Sequence, residues 1–142
     1  MTTQGITGWR RFTIYGLVVY LALDITIGTM AYMGSLWAFL PGIPHFDFAG
    51  HFVLIGGLAF FLDGVLDYRP VTRRVPWLRL APTAVLTVAG IEELLQALTP
   101  RRTSSVSDFV ADVLGVYFLS WVSGLAAAKF GGRQGTQNGL VP

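Results

Sequence analysis

The chain contains no cysteine, which removes disulfides, thiolate metal ligands and cysteine nucleophiles from consideration. It is also poor in charge: 13% of its 142 residues are charged and 53% are hydrophobic. Mean hydropathy is +0.58. An ordinary soluble domain carries roughly 25% charged residues, so this composition points to a membrane protein. Segments of about 20 apolar residues cross a ~30 Å hydrocarbon layer. A chain of 142 residues accommodates about four of them and leaves no room for a separate soluble domain. No internal repeat is evident, and no HExxH pattern or close histidine pair marks a metal site. No metal or other cofactor is expected. The serines at 104, 105 and 107 lack the elbow or triad spacing of a nucleophile.

The opening GWRRFTIYGLVVYLAL has the basic start and apolar run of a signal peptide. The run continues past Ala22 with no small-residue cleavage site, so a retained anchor is expected. The net charge of +2 and a pI near 9.3 do not signify nucleic acid, because the basic residues sit in short groups beside apolar runs. They act as topology signals.

Four apolar segments stand out, at about 12–33, 50–66, 78–98 and 106–128. They predict an all-α protein of four transmembrane helices in one domain over residues 1–130, with a disordered Gly-rich polar tail at 131–142. Between them lie a Pro- and aromatic-rich connection, the basic turn DYRPVTRRVPW and the short TPRRTSS. Arg10, Arg11, Arg69, Arg73, Arg74, Arg79, Lys129 and Arg133 fall on one side of these spans, and only Arg101 and Arg102 on the other. The positive-inside rule then makes both termini cytoplasmic, in a multi-pass protein of the plasma membrane. Asp47, Glu92, Glu93, Asp108 and Asp112 collect on the opposite side with His45 and His51.

Polar residues at membrane depth are costly and need partners. Glu93 lies seven residues before Pro100, ~10 Å below the end of its helix. Glu92 and Glu93 each share a helix face with Gln96. On the last span Asp108, Asp112, Gly115 and Leu119 form one stripe, and Gly115 and Ser123 admit a close helix neighbour. Asp47 and Asp108 also suit N-caps. Asp24, deep in the first span, is either functional or bonded to a neighbouring Ser or Thr. Asp63, Asp67 and Arg69 read as interfacial charges with local pairing.

The pattern Asp47-x-x-x-His51-Phe52, then Glu93-x-x-Gln96-x-x-x-Pro100-x-Arg102, then Asp108-x-x-x-Asp112-x-x-Gly115 resembles the VanZ-like membrane proteins. Their order is D-K-x-x-H-F, E-x-x-Q near P-G-R, and D-x-x-x-N-x-x-G. The resemblance covers roughly residues 40–125. Phe48, Arg101 and Asp112 depart from the family pattern, where lysine, glycine and asparagine are usual, and they leave this site more acidic. The resemblance implies a small integral membrane protein of the bacterial envelope, in a family whose namesake is associated with resistance to the glycopeptide antibiotic teicoplanin.

Arg102 offers a planar fork of donors suited to phosphate, with Gln96, Asp112 and Asp47 as further binding residues. Glu93, His51 and Asp108 are the acid–base candidates. The expectation is binding of an anionic lipid headgroup or lipid-linked cell-wall precursor at the outer leaflet, with its modification by acid–base chemistry left open. The alternatives are a polar network that only holds the helices together, and a ladder of acids, Asp24, Glu93 and Asp63, that passes protons or ions.

Overall fold

The structure is a computed structural model and describes residues 8–35, 46–97 and 106–130. The described chain is mostly helical, with α1 over Gly8–Tyr32 and α2 over Phe46–Val65. A hairpin of β1, Pro70–Thr72, and β2, Val75–Arg79, follows. It leads into α3, Leu80–Ala97, and α4, Val106–Phe130. The polar tail, the Pro- and aromatic-rich connection and the TPRRTSS loop lie outside the described residues, and Arg101 and Arg102 with them.

Among the described residues, three helices are long and apolar enough to cross a membrane: α1, α2 and α4. The 18-residue α3, which carries Glu92 and Glu93, is not among them. The distribution of side chains is inverted relative to a soluble protein. Thr13, Asp63, Gln96, Asp112, Ser120 and Ser123 are buried, whereas Tyr15, Val19, Leu94 and Val106 are 70% or more exposed. Polar groups inside and large apolar groups outside fit an apolar surrounding phase, as do the three apolar helices.

The largest interface joins α2 to α4, with α1 against α2 and α3 against both α2 and α4. At its centre the small apolar core is Ala59, Val85 and Val116, flanked by Ile55, Leu58, Leu62 and Leu86. Glycine sets how closely α2 and α4 approach. A Cβ at Gly56 would lie 2.6 Å from the backbone of Gly115, and one at Gly115 would lie 2.2 Å from the Phe52 carbonyl oxygen. Of the stripe expected on α4, Asp112 and Gly115 are buried while Asp108 and Leu119 are only half-buried; Val116, Ser120 and Ser123 complete the buried face.

The basic turn is more ordered than its charge suggests. Val71, Thr72, Val75 and Trp77 favour extended backbone, and the strands pair antiparallel with Pro70 opposite Arg79 and Thr72 opposite Val75. Pro70 occupies the first strand position, which proline tolerates. The amide of Arg74 donates to Thr72 Oγ1 across the two-residue turn. Before the hairpin, α2 ends in a Schellman closure: the Tyr68 amide donates to Asp63 O and the Asp67 amide to Gly64 O. Asp67 and Tyr68 take positive φ values of 54° and 56°, and the turn swings the Tyr68 ring back toward the bundle.

Candidate functional site

Polar groups gather at two ends of the bundle. At the end where α2 and α4 begin, His51 stands on the second turn of α2 and Asp112 on the second turn of α4. His51 Nδ1 and Asp112 Oδ1 are 3.0 Å apart. The Asp112 side chain is 3% exposed and that of His51 27%, so the imidazole shields the carboxylate from the outside. The close α2–α4 packing at Gly115, one turn along, places the pair within reach.

Other acids surround it. His51 lies within electrostatic range of Asp108 and Glu93, and Asp108 within range of Asp47, Glu93 and Asp112. Asp24 of α1 interacts with Glu92, Asp112 and His51. Buried Gln96 donates from Nε2 to Glu92 Oε1 at 3.2 Å. All four helices therefore contribute to one acidic end.

The sequence-derived site residues thus meet unequally. His51 and Asp112 are in contact; Glu93 and Asp108 are half-buried within electrostatic reach of His51; Asp47 is exposed on the first turn of α2. Gln96 is bonded to Glu92. Arg102 lies outside the described residues. Asp24 is not the isolated acid that its position suggested, because the α1–α2 packing brings it to the same cluster. Among the described residues no three His, Asp or Glu side chains are placed to hold a metal ion.

The opposite end holds a network that sequence reading missed. Asp63 is fully buried, and its partner is not nearby Arg69. Arg79 donates from Nη1 to Asp63 Oδ2 at 2.8 Å and to Ser120 O at 3.2 Å. Its guanidinium sits 5.3 Å from the centre of the Tyr68 ring. Tyr68 accepts from Trp9 Nε1 at 3.0 Å and donates to Ser123 O at 2.9 Å, while Ser123 Oγ donates to Phe60 O. One phenol therefore ties α1, the end of α2 and α4 together. A signal for Asp63 was present: it follows Gly56 and Ala59 at i+7 and i+4, on the α2 face that meets α4.

The two clusters are separated along α4 by eight residues, from Asp112 to Ser120, or ~12 Å. The Gly56–Gly115 backbone contact and the core of Ala59, Val85 and Val116 fill that interval. No ladder of acids links the two ends within the described residues. Chemically, the acidic end can exchange protons between imidazole and carboxylates, and its carboxylates accept hydrogen bonds from hydroxyl or amino groups. Compared with protein-family models, with curated proteins and with solved structures, the chain finds no match.

Proposed function

We propose that the chain is a four-span protein of the bacterial plasma membrane, with both termini cytoplasmic, whose acidic end faces the outer leaflet and binds a lipid-linked cell-wall precursor. The observation that carries this reading is the His51–Asp112 pair, set among carboxylates from all four helices at one end of the bundle. The other end carries Arg69, Arg73, Arg74 and Arg79 on and beside the hairpin, which supports placing it at the cytoplasmic surface. α3 serves as the fourth span: Val88, Ile91, Leu94 and Leu95 present apolar surface outward, while Gln96 turns inward.

The surplus of acid selects among ligands. A bare anionic headgroup would meet Asp24, Asp47, Glu92, Glu93, Asp108 and Asp112 and be repelled. A precursor whose head carries hydroxyl and amino groups beside its phosphate satisfies those carboxylates and leaves the phosphate to Arg101 and Arg102. The resemblance to VanZ-like proteins supports the same envelope setting and a link to glycopeptide resistance.

The test uses native mass spectrometry of the purified protein with polyprenyl diphosphate carrying an amino sugar. Glu93→Ala, Asp108→Ala and Arg102→Ala are expected to weaken retention at least tenfold at unchanged membrane expression. Undiminished retention in all three variants contradicts the proposal. A second reading rests on a specific observation: His51 with Asp112 and Gln96 with Glu92 already satisfy one another. In that reading the cluster only holds the helices in register, and the same variants lose folded yield instead of ligand.

A further inference from the structure

The basic end contains a cavity of ≈ 160 Å³ between β2, the start of α3 and α4, whose walls include Trp77, Arg79, Thr83, Tyr117, Ser120 and Trp121. Arg79 brings cationic donors to its wall. A guanidinium has five N–H groups. Both hydrogen bonds of Arg79 leave from Nη1, so Nη2 and Nε donate to no described residue. The side chain is 32% exposed, although Asp63 anchors one edge of it from behind. Nη2 and Nη1 both lie beside Gly124 of α4, where a Cβ would stand 3.6 and 3.7 Å from them.

Ser120 is the second observation. It is 3% exposed, and its Oγ is buried without a hydrogen-bond partner. A buried hydroxyl without a partner is uncommon in a folded protein. This one stands in the same wall as Arg79, whose Nη1 already binds the Ser120 carbonyl. The hydroxyl is closed to water as it stands, and a rotation about the Ser120 Cα–Cβ bond is the motion that would turn it to an oxygen-rich ligand seated against Arg79.

The surroundings specify the ligand further. Trp77, Tyr117 and Trp121, which line the cavity, are 75%, 52% and 57% exposed, and Trp77 on the hairpin suits the level of lipid headgroups. Asp63 neutralises Arg79, and the exposed Arg69, Arg73 and Arg74 against the exposed Asp67 give the hairpin segment that carries β2 a net positive charge. The volume admits a phosphate with a few attached atoms and excludes acyl chains, which would lie outside against Trp121 and Tyr117.

We infer that this cavity is a phosphate-ester site, in which the free N–H groups of Arg79 and the Ser120 hydroxyl bind phosphate oxygens, and which an anionic phospholipid fills from the bilayer. A soluble phosphate ester presents the same chemistry. The site is separate from the acidic end and does not depend on the function assigned there.

The test is native mass spectrometry of the full chain with phosphatidylglycerol and phosphatidylcholine, alongside thermal melts with inorganic phosphate. Wild type is expected to retain phosphatidylglycerol about fivefold over phosphatidylcholine, the factor one basic residue supplies beside an anionic lipid. Asp63→Asn/Arg79→Gln keeps a bonded pair in place of the ion pair and should abolish the preference; Ser120→Ala should weaken it. Glu93→Ala, at the other end, should leave it unchanged. Should the double variant fail to fold, Ser120→Ala decides, because it spares Asp63 from being stranded. Displacement of phosphatidylglycerol by millimolar inorganic phosphate, which then stabilises the protein alone, supports the site with a soluble ester as its ligand. Equal retention of the two lipids, or a preference unchanged in the folded variants, overturns the inference.

Discussion

A methyl group at Gly115 is the smallest change that should separate α2 from α4. The added Cβ would stand 2.2 Å from the Phe52 carbonyl oxygen and 2.9 Å from the Phe52 carbonyl carbon and Cα, more than an ångström short of ordinary contact at the oxygen. Every atom it meets is backbone, so no rotamer change relieves the clash and the helices must move apart. Overpacking of this kind costs about 1–3 kcal/mol. The displacement also stretches the His51–Asp112 contact one turn away and the bond from Ser123 Oγ to Phe60 O, each contributing about 1 kcal/mol. The sum, about 3–5 kcal/mol, corresponds to a fall in Tm on the order of 10 °C. Thermal melts in detergent, followed by tryptophan fluorescence and by loss of the monodisperse elution peak, measure it. Gly28→Ala and Gly50→Ala are the controls, since a Cβ at either meets nothing within 4 Å; both should be neutral or stabilising by up to about 1 kcal/mol. A Gly115→Ala protein that melts with these controls refutes the claim that the glycine contact sets the helix spacing.

Three further outcomes follow from the same geometry. His51→Ala leaves the buried Asp112 carboxylate without its partner and should destabilise by about 3–5 kcal/mol. His51→Ala/Asp112→Asn should recover more than half of that loss in the same melts, as a double-mutant cycle will show. Tyr68→Phe removes the acceptor of Trp9 Nε1 and the donor to Ser123 O. The expected loss is about 1–2 kcal/mol, with α1 released first in hydrogen exchange.

The membrane character of the chain was legible because composition and the length of apolar runs report the solvent directly. So was the inward stripe of α4, because helical spacing puts Asp112, Gly115 and Ser123 on one face whatever they meet. Partner choice was not legible. Asp63 pairs with Arg79 because the Schellman turn and the hairpin fold the chain back on itself, and no local spacing encodes that return. Charge counting enters Arg79 only as a topology signal, and the count is the same whether the guanidinium faces solvent or Asp63. Asp24 joined the acidic end through the packing of α1 on α2, a tertiary fact with no signature at position 24. The hairpin itself was obscured by its arginines: charge suggested a solvated turn, while Val71, Thr72, Val75 and Trp77 supplied the extended backbone.

The claim that the acidic end binds a ligand, and does more than hold the helices together, is tested most directly by measuring affinity and stability in one titration. Thermal melts of wild type, Glu93→Gln and Asp108→Asn across a series of amino-sugar-bearing polyprenyl diphosphate concentrations give both quantities. The binding account predicts ligand-free Tm values within about 2 °C of wild type and an affinity weakened at least tenfold in each variant. A lowered ligand-free Tm with the wild-type affinity intact contradicts it.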